Sequence, residues 1–195
     1  MLVASGALAQ SPPRIQDIPE VYPQGLFRVT YTDPSRSLTI DPTGMGETLA
    51  EVGITIQVQV VRTFLGGPLY PMPNVPPSEL ILFDSDLCFC APFQAARPTD
   101  ANGDTEFTGT IRGGGCVESL DLYVDGVWSG QIPIRVNSVD TGNCSVDASD
   151  LVHLARRLGR PELYDFCFDY NDSGGIDAGD LAFFASHLGT RCSAP

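Results

Sequence analysis

The chain has 195 residues, a net charge of −13 and a sequence pI near 4.2, and all 11 of its basic residues are Arg. Such a balance lacks the basic footprint that nucleic acid or an anionic membrane surface requires, and no apolar run approaches the roughly 18 residues that would cross a bilayer as a helix. With 15 acidic and seven basic residues before position 137, and nine and four from there on, the acidity reads as solubility plus ligands for a hard cation, not as an acidic tail.

Residues 1–12 read as the remnant of a secretory signal peptide, small and apolar up to Ala7-Leu8-Ala9, although the charged start is missing. The expected location is therefore secreted or on a bacterial cell surface. Residues 13–136 read as a sandwich of about seven short strands. The strands are placed at 26–31, 37–40, 53–63, 79–83, 105–112, 120–124 and 131–136, where β-branched and aromatic residues run between Gly, Pro, Asn and Asp. Asn102-Gly103 and Asp125-Gly126 supply the dipeptides of tight turns. Residues 68–77 are Pro-rich and read as a long loop, and Gly113-Gly114-Gly115 as a flexible turn.

Six cysteines behind an export signal favour disulfides. Cys88, Cys90 and Cys116 lie upstream of residue 137, while Cys144, Cys167 and Cys192 lie beyond it. Full pairing thus needs at least one bridge across that boundary. Fifteen connectivities are open; the preferred bridge is Cys90 with Cys116, which flank one predicted strand. Zinc held by Cys88, Cys90 and Cys116 is the lesser alternative, because a second paired ligand motif is missing. His153 and His187 read as surface residues.

Residues 137–195 contain a twofold repeat. Asp147, Ala148, Asp150, Leu151, Ala155, Leu158 and Gly159 recur 30 residues later as Asp177, Ala178, Asp180, Leu181, Ala185, Leu188 and Gly189. The second copy reads as a 12-residue calcium loop. Calcium takes six to eight oxygen ligands, which such a loop supplies at alternating positions around a sharp glycine turn. Asp169, Asn171 and Ser173 fall at positions 1, 3 and 5, Gly174 at the turn, the Gly175 carbonyl at 7, Asp177 at 9 and Asp180 at 12. The first copy offers Thr141, Asn143, Ser145, Asp147 and Asp150, with Val139 where the first carboxylate belongs and Cys144 at the glycine position. The spacing predicts one strong Ca2+ site and one weak one. After each loop, Leu151, Leu154, Ala155 and Leu158, then Leu181, Phe184, Ala185 and Leu188, recur at helical spacing.

A duplicated loop followed by a helix, with Asp at each twelfth position, resembles the dockerin family. The resemblance covers the last third of the chain and implies calcium-dependent docking onto a cohesin-like partner. Loop positions 10 and 11 depart from the hydroxyl pair common in cohesin binders, being Ala148-Ser149 and Ala178-Gly179. The segments Thr99-Asp100-Ala101-Asn102-Gly103-Asp104-Thr105-Glu106-Phe107 and Ala50-Glu51-Val52-Gly53-Ile54-Thr55-Ile56-Gln57-Val58 resemble bacterial Ig-like domains of the invasin and intimin type. That resemblance implies a spacer or adhesive unit.

The fold expected is thus a mainly β Ig-like sandwich with a small α-helical, duplicated calcium-loop domain. The function expected is non-catalytic binding and attachment. A structural surface or fibre protein, in which the repeat is only a stabilising cap, is the alternative. A polysaccharide-active enzyme ranks third: no nucleophile elbow or zinc-spaced His pair occurs, and Asp84 and Asp86 with Asp100 or Asp104 are the sole acid–base candidates.

Overall fold

The clearest alternation in the sequence, Ile54, Ile56, Val58 and Val60 against Thr55 and Gln57, forms the central strand of the larger sheet: the first set is buried and the second exposed. The computed structural model describes residues 23–63 and 67–192; the signal-peptide expectation for residues 1–12 lies outside them. The described residues are mainly β, with two short helices. In chain order the strands are β1 (Pro23–Tyr31), β2 (Leu38–Ile40), β3 (Ile54–Thr63), β4 (Leu69–Pro71), β5 (Leu80–Phe83), β6 (Leu87–Phe89), β7 (Phe93–Gln94), β8 (Asp104–Phe107), β9 (Gly113–Gly115), β10 (Leu120–Val124), β11 (Val127–Ile132) and β12 (Val136–Ser138). The helices α1 (Ala148–Ala155) and α2 (Ala178–His187) follow.

β3 pairs antiparallel with β1 on one side and with β8 and β4 in succession on the other. A second four-stranded sheet has the order β11-β10-β5-β7. Both sheets send alternate residues into one cluster that includes Ile56, Val58, Leu82, Phe107, Leu120 and Leu122, an arrangement consistent with a β-sandwich. Two small pairs, β2 with β12 in parallel and β6 with β9, complete the strand set.

Asp125-Gly126 closes the β10–β11 hairpin, both residues at positive φ, as its sequence predicts. Asn102-Gly103 sits in a turn that Asp100 ties by accepting from the N–H groups of Asn102 and Asp104. Three expectations are corrected. The Pro-rich 68–77 stretch contains β4, an edge strand where Pro71 costs no ladder bond on its solvent side. Gly113-Gly114-Gly115 is a buried strand pairing with β6. The predicted strand at 131–136 is two strands, because Pro133 cannot continue the ladder.

A separate cluster of Val139, Val146, Leu154, Phe168, Tyr170, Ile176 and Phe184 forms the core beyond residue 138. The predicted helical stripes are only partly buried. Leu154 and Phe184 go inward, whereas Leu181 and Leu188 are exposed, so the helices bury the faces of Asp150 and Leu154 and of Asp180 and Phe184.

Candidate metal centre and the seam beside it

Each helix begins with the same device. Asp147 and Asp177 are N-caps, and Asp150 and Asp180 at the third helical position accept from the cap's own backbone N–H, both at 2.8 Å. These are capping boxes, which give the two aspartates of each helix start backbone donors but do not offset their charge. They do not account for the acids at the other end of each loop.

In the second loop that acid is Asp169, 1 % exposed. Its Oδ1 accepts from Ser173 N at 2.9 Å, and its Oδ2 accepts from Gly174 N at 2.8 Å and from the Tyr164 hydroxyl at 3.1 Å. Asp180, fully buried, spans back to the loop start by accepting from Tyr170 N at 2.7 Å. Asn171 Oδ1 accepts from Ser173 N, the Ser173 hydroxyl donates to the Gly175 carbonyl, and Asp177 Oδ1 accepts from Gly179 N. Gly174 turns the chain at φ +82°, as position 6 requires. Burial pushes the Asp180 carboxyl above the ordinary range, and the nearby Asp169 charge adds to the rise.

The first loop does not keep the register expected from a fixed 30-residue offset. Val139 is core, and the first carboxylate is Asp140, which the sequence reading missed. Asp150 Oδ1 accepts from Thr141 N at 2.9 Å, as Asp180 accepts from Tyr170 N, and Asp140 Oδ1 accepts from Gly142 N and Asn143 N. The loop is therefore 140–150, one residue shorter than 169–180. Allowing a single-residue gap in the repeat would have found Asp140. Cys144 takes the turn at φ +65°. Of the expected ligands, Thr141 is occupied as a donor to Asp150, Asn143 accepts from Ser145 N, and Asp147 accepts from Ser149.

Asp140 is fully buried, and its Oδ2 has no hydrogen-bond partner. Burial raises its proton affinity, and the charge of Asp150 raises it further. A desolvated carboxylate oxygen without a donor is costly; the other three buried loop acids, Asp150, Asp169 and Asp180, have N–H or O–H donors on both oxygens. An all-oxygen donor set with a sharp turn between is the chemistry of a hard divalent cation, so the residues of both loops fit Ca2+. Among the described residues, the only three ligand-type side chains within 4.8 Å of one another are Cys88, Cys144 and Cys192. The aspartates of each loop are spaced more widely and would have to draw together around an ion.

That sulfur cluster is made of bridges. Cys88 bonds to Cys144, Cys90 to Cys192 and Cys116 to Cys167. The expected Cys90–Cys116 bridge is thus corrected: each upstream cysteine pairs across the boundary at residue 137. The reason lies in β12, which runs parallel to β2 and delivers the chain directly into the first loop. The zinc alternative at Cys88, Cys90 and Cys116 loses its thiols to the same bridges.

Hydrogen bonds reinforce the seam. Ser37 N donates to the Asp172 carboxylate at 3.2 Å, Thr39 Oγ1 to the Tyr170 carbonyl at 3.2 Å and Gly115 N to the Asp140 carbonyl at 2.7 Å. His187 is not a surface residue: its ring stacks on Phe183 and its Nε2 lies 3.7 Å from Asp41. His153 is exposed. Asp84 and Asp86 line a cleft beside Cys116 and Cys167, whereas Asp104 lines clefts on the β3 and β8 face.

No family model, no curated protein and no solved structure matches this chain.

Proposed function

We propose that this is an exported, non-catalytic attachment protein whose C-terminal repeat binds Ca2+ and docks a cohesin-like partner, with the Ig-like sandwich as its rigid base. The observation that carries the proposal is the pair of carboxylate brackets, Asp140 with Asp150 and Asp169 with Asp180, all four aspartates at most 1 % exposed. Four buried acids whose partners are only N–H and O–H donors leave net negative charge in a low-dielectric setting, which a divalent cation offsets. Asp169, Asn171, Ser173, the Gly175 carbonyl, Asp177 and Asp180 would hold one ion; Asp140, Asn143, Asp147 and Asp150 would hold the other. The ion supplies charge neutralisation and loop closure, not chemistry on a substrate.

The docking face we assign is the exposed pair Leu181 and Ala185 on α2, at i and i+4, with Leu188 exposed just past the helix end. An adhesive part for the sandwich, beyond spacing, is supported by Phe83, Tyr123 and Trp128 on the outer face of the β11-β10-β5-β7 sheet, where Trp128 donates to Asp121 at 3.0 Å.

A second reading is favoured by the three bridges. They fasten the repeat to the sandwich as a cap, which suits a structural coat or fibre protein.

Isothermal calcium titration of the full, disulfide-intact chain tests the main reading. Binding of one or two ions by the parent, weakened by Asp180→Ala, is expected, and a pull-down should recover a partner only without chelator. No binding heat, with an unfolding temperature indifferent to chelator, would leave the cap reading.

A further inference from the structure

The seam also builds a groove of about 830 Å³, between α1, the turns at Pro161–Leu163 and Phe166–Phe168, and the segment before β12. Three of the chain's 11 arginines line it, Arg135, Arg156 and Arg157, together with His153. Its two acids are Glu118 and Asp165, and Asp165 is already engaged by Arg157 at 3.3 Å. In a chain of net charge −13, this groove carries an excess of cations.

The guanidinium groups are held in a particular way. Arg157 lies 4.2 Å from the centroid of the Phe168 ring, and Arg135 lies 5.3 Å from that of Phe166. Stacking occupies the face of a guanidinium and leaves its in-plane N–H donors for a carboxylate. Among the described residues, neither Arg135 nor Arg156 has an ion-pair partner, and both are exposed. Beside them Leu163 and Tyr164 stand 42 % and 48 % exposed, an apolar shoulder next to cationic donors.

We infer that this groove binds an acidic peptide segment of a partner protein, its carboxylates on Arg135 and Arg156 and an apolar side chain against Leu163 and Tyr164. Charge complementarity selects an anionic occupant in an otherwise acidic protein. We commit to a peptide over an acidic sugar because Leu163 beside Tyr164 gives an apolar side chain an aliphatic seat, while Arg135 lies over the Phe166 ring. Neither Arg135 nor Arg156 belongs to a calcium loop, but Tyr164 joins the groove to the second loop through its hydrogen bond to Asp169.

The test is fluorescence anisotropy with a labelled ten-residue peptide of alternating Glu and Leu, titrated with the full chain in calcium and again in chelator. The Gln-for-Glu peptide and an oligogalacturonate serve as comparisons. Binding of the Glu peptide is expected to weaken at least tenfold in Arg135→Ser/Arg156→Ser and to decline as salt rises from 50 to 500 mM, which shortens the Debye length about threefold. Arg135→Lys/Arg156→Lys keeps the charge and the fold but loses the planar donor fork, so an intermediate loss is expected. Equal binding of the Gln peptide, undiminished binding by the folded Ser variant, preference for the oligogalacturonate, or no binding by the parent would each overturn the inference.

Discussion

The side-chain amide of Asn137 donates to the backbone carbonyl of Asp169 at 2.9 Å, so the middle residue of the last strand holds the first residue of the second loop. The same amide donates to the Phe166 carbonyl at 3.0 Å, and Asn137 is fully buried. Asn137→Ala strands the Asp169 carbonyl, at a cost of about 1–3 kcal/mol, and leaves the Phe166 carbonyl with only the Asp169 N–H. Urea unfolding should show the loss, and calcium affinity should fall with it because the loop start is released. A variant as stable as the parent would mean that the seam does not depend on this contact.

The bridge pattern is directly testable. Non-reducing peptide mapping should return Cys116 linked to Cys167, Cys90 to Cys192 and Cys88 to Cys144, and a Cys90–Cys116 peptide would contradict the structure. The Cys116–Cys167 bridge spans 51 residues; removing it with a double Ser substitution should cost about 4 kcal/mol in the chain-entropy account. The unfolding temperature reads that loss.

Gly114 lies against the Asp140 carboxylate, and a methyl group there would overlap Oδ2. Gly114→Ala should destabilise by about 1–3 kcal/mol through forced displacement. It should also alter the proposed first calcium site and leave the proposed second one intact. Calorimetric stoichiometry separates the two effects: one remaining site is expected, and two unchanged sites would sever Asp140 from ion binding.

Removing calcium should lower the unfolding temperature. An ion present at a hundredfold excess over its dissociation constant adds about 2.7 kcal/mol per site. Asp140→Ala and Asp169→Ala should each remove one site's share, and a scan with and without chelator checks both.

The turn at Asp100 gives a pH dependence in the sandwich. Hydrogen bonds from the backbone of Asp104, and then Asn102, hold its carboxyl below the usual carboxylate range. A depressed acid stabilises the fold above its unfolded pKa and loses that contribution as pH falls through its folded value. Asp100→Ala should therefore be less stable than the parent at neutral pH, with the gap closing in acid. A gap constant with pH would show that the carboxylate charge is not involved.

Local pattern carried much of this protein. Strict alternation along 54–60 placed the central strand, Asp125-Gly126 placed a hairpin, and the spacing from Asp169 to Asp180 placed the second loop with its turn at Gly174. Each is a short-range property, fixed by side-chain period or by φ at one or two residues. Where the signal was indirect, the reading slipped: Gly113-Gly114-Gly115 has no side chain to reveal a strand, and a rigid 30-residue offset hid Asp140 behind Val139.

What the sequence by itself determined is therefore the strand-rich first part, the repeat and the oxygen-donor chemistry of its loops. What only the tertiary structure decided is how these parts join: β12 lying parallel to β2, three bridges crossing residue 137, the orphaned Oδ2 of Asp140, and Arg135 meeting Arg156 across one groove. Local patterns report which face of a segment is buried, but not which distant segment covers it. Among fifteen pairings of six cysteines, the choice fell to whichever Cα atoms the packed sheets and helices brought within bonding reach.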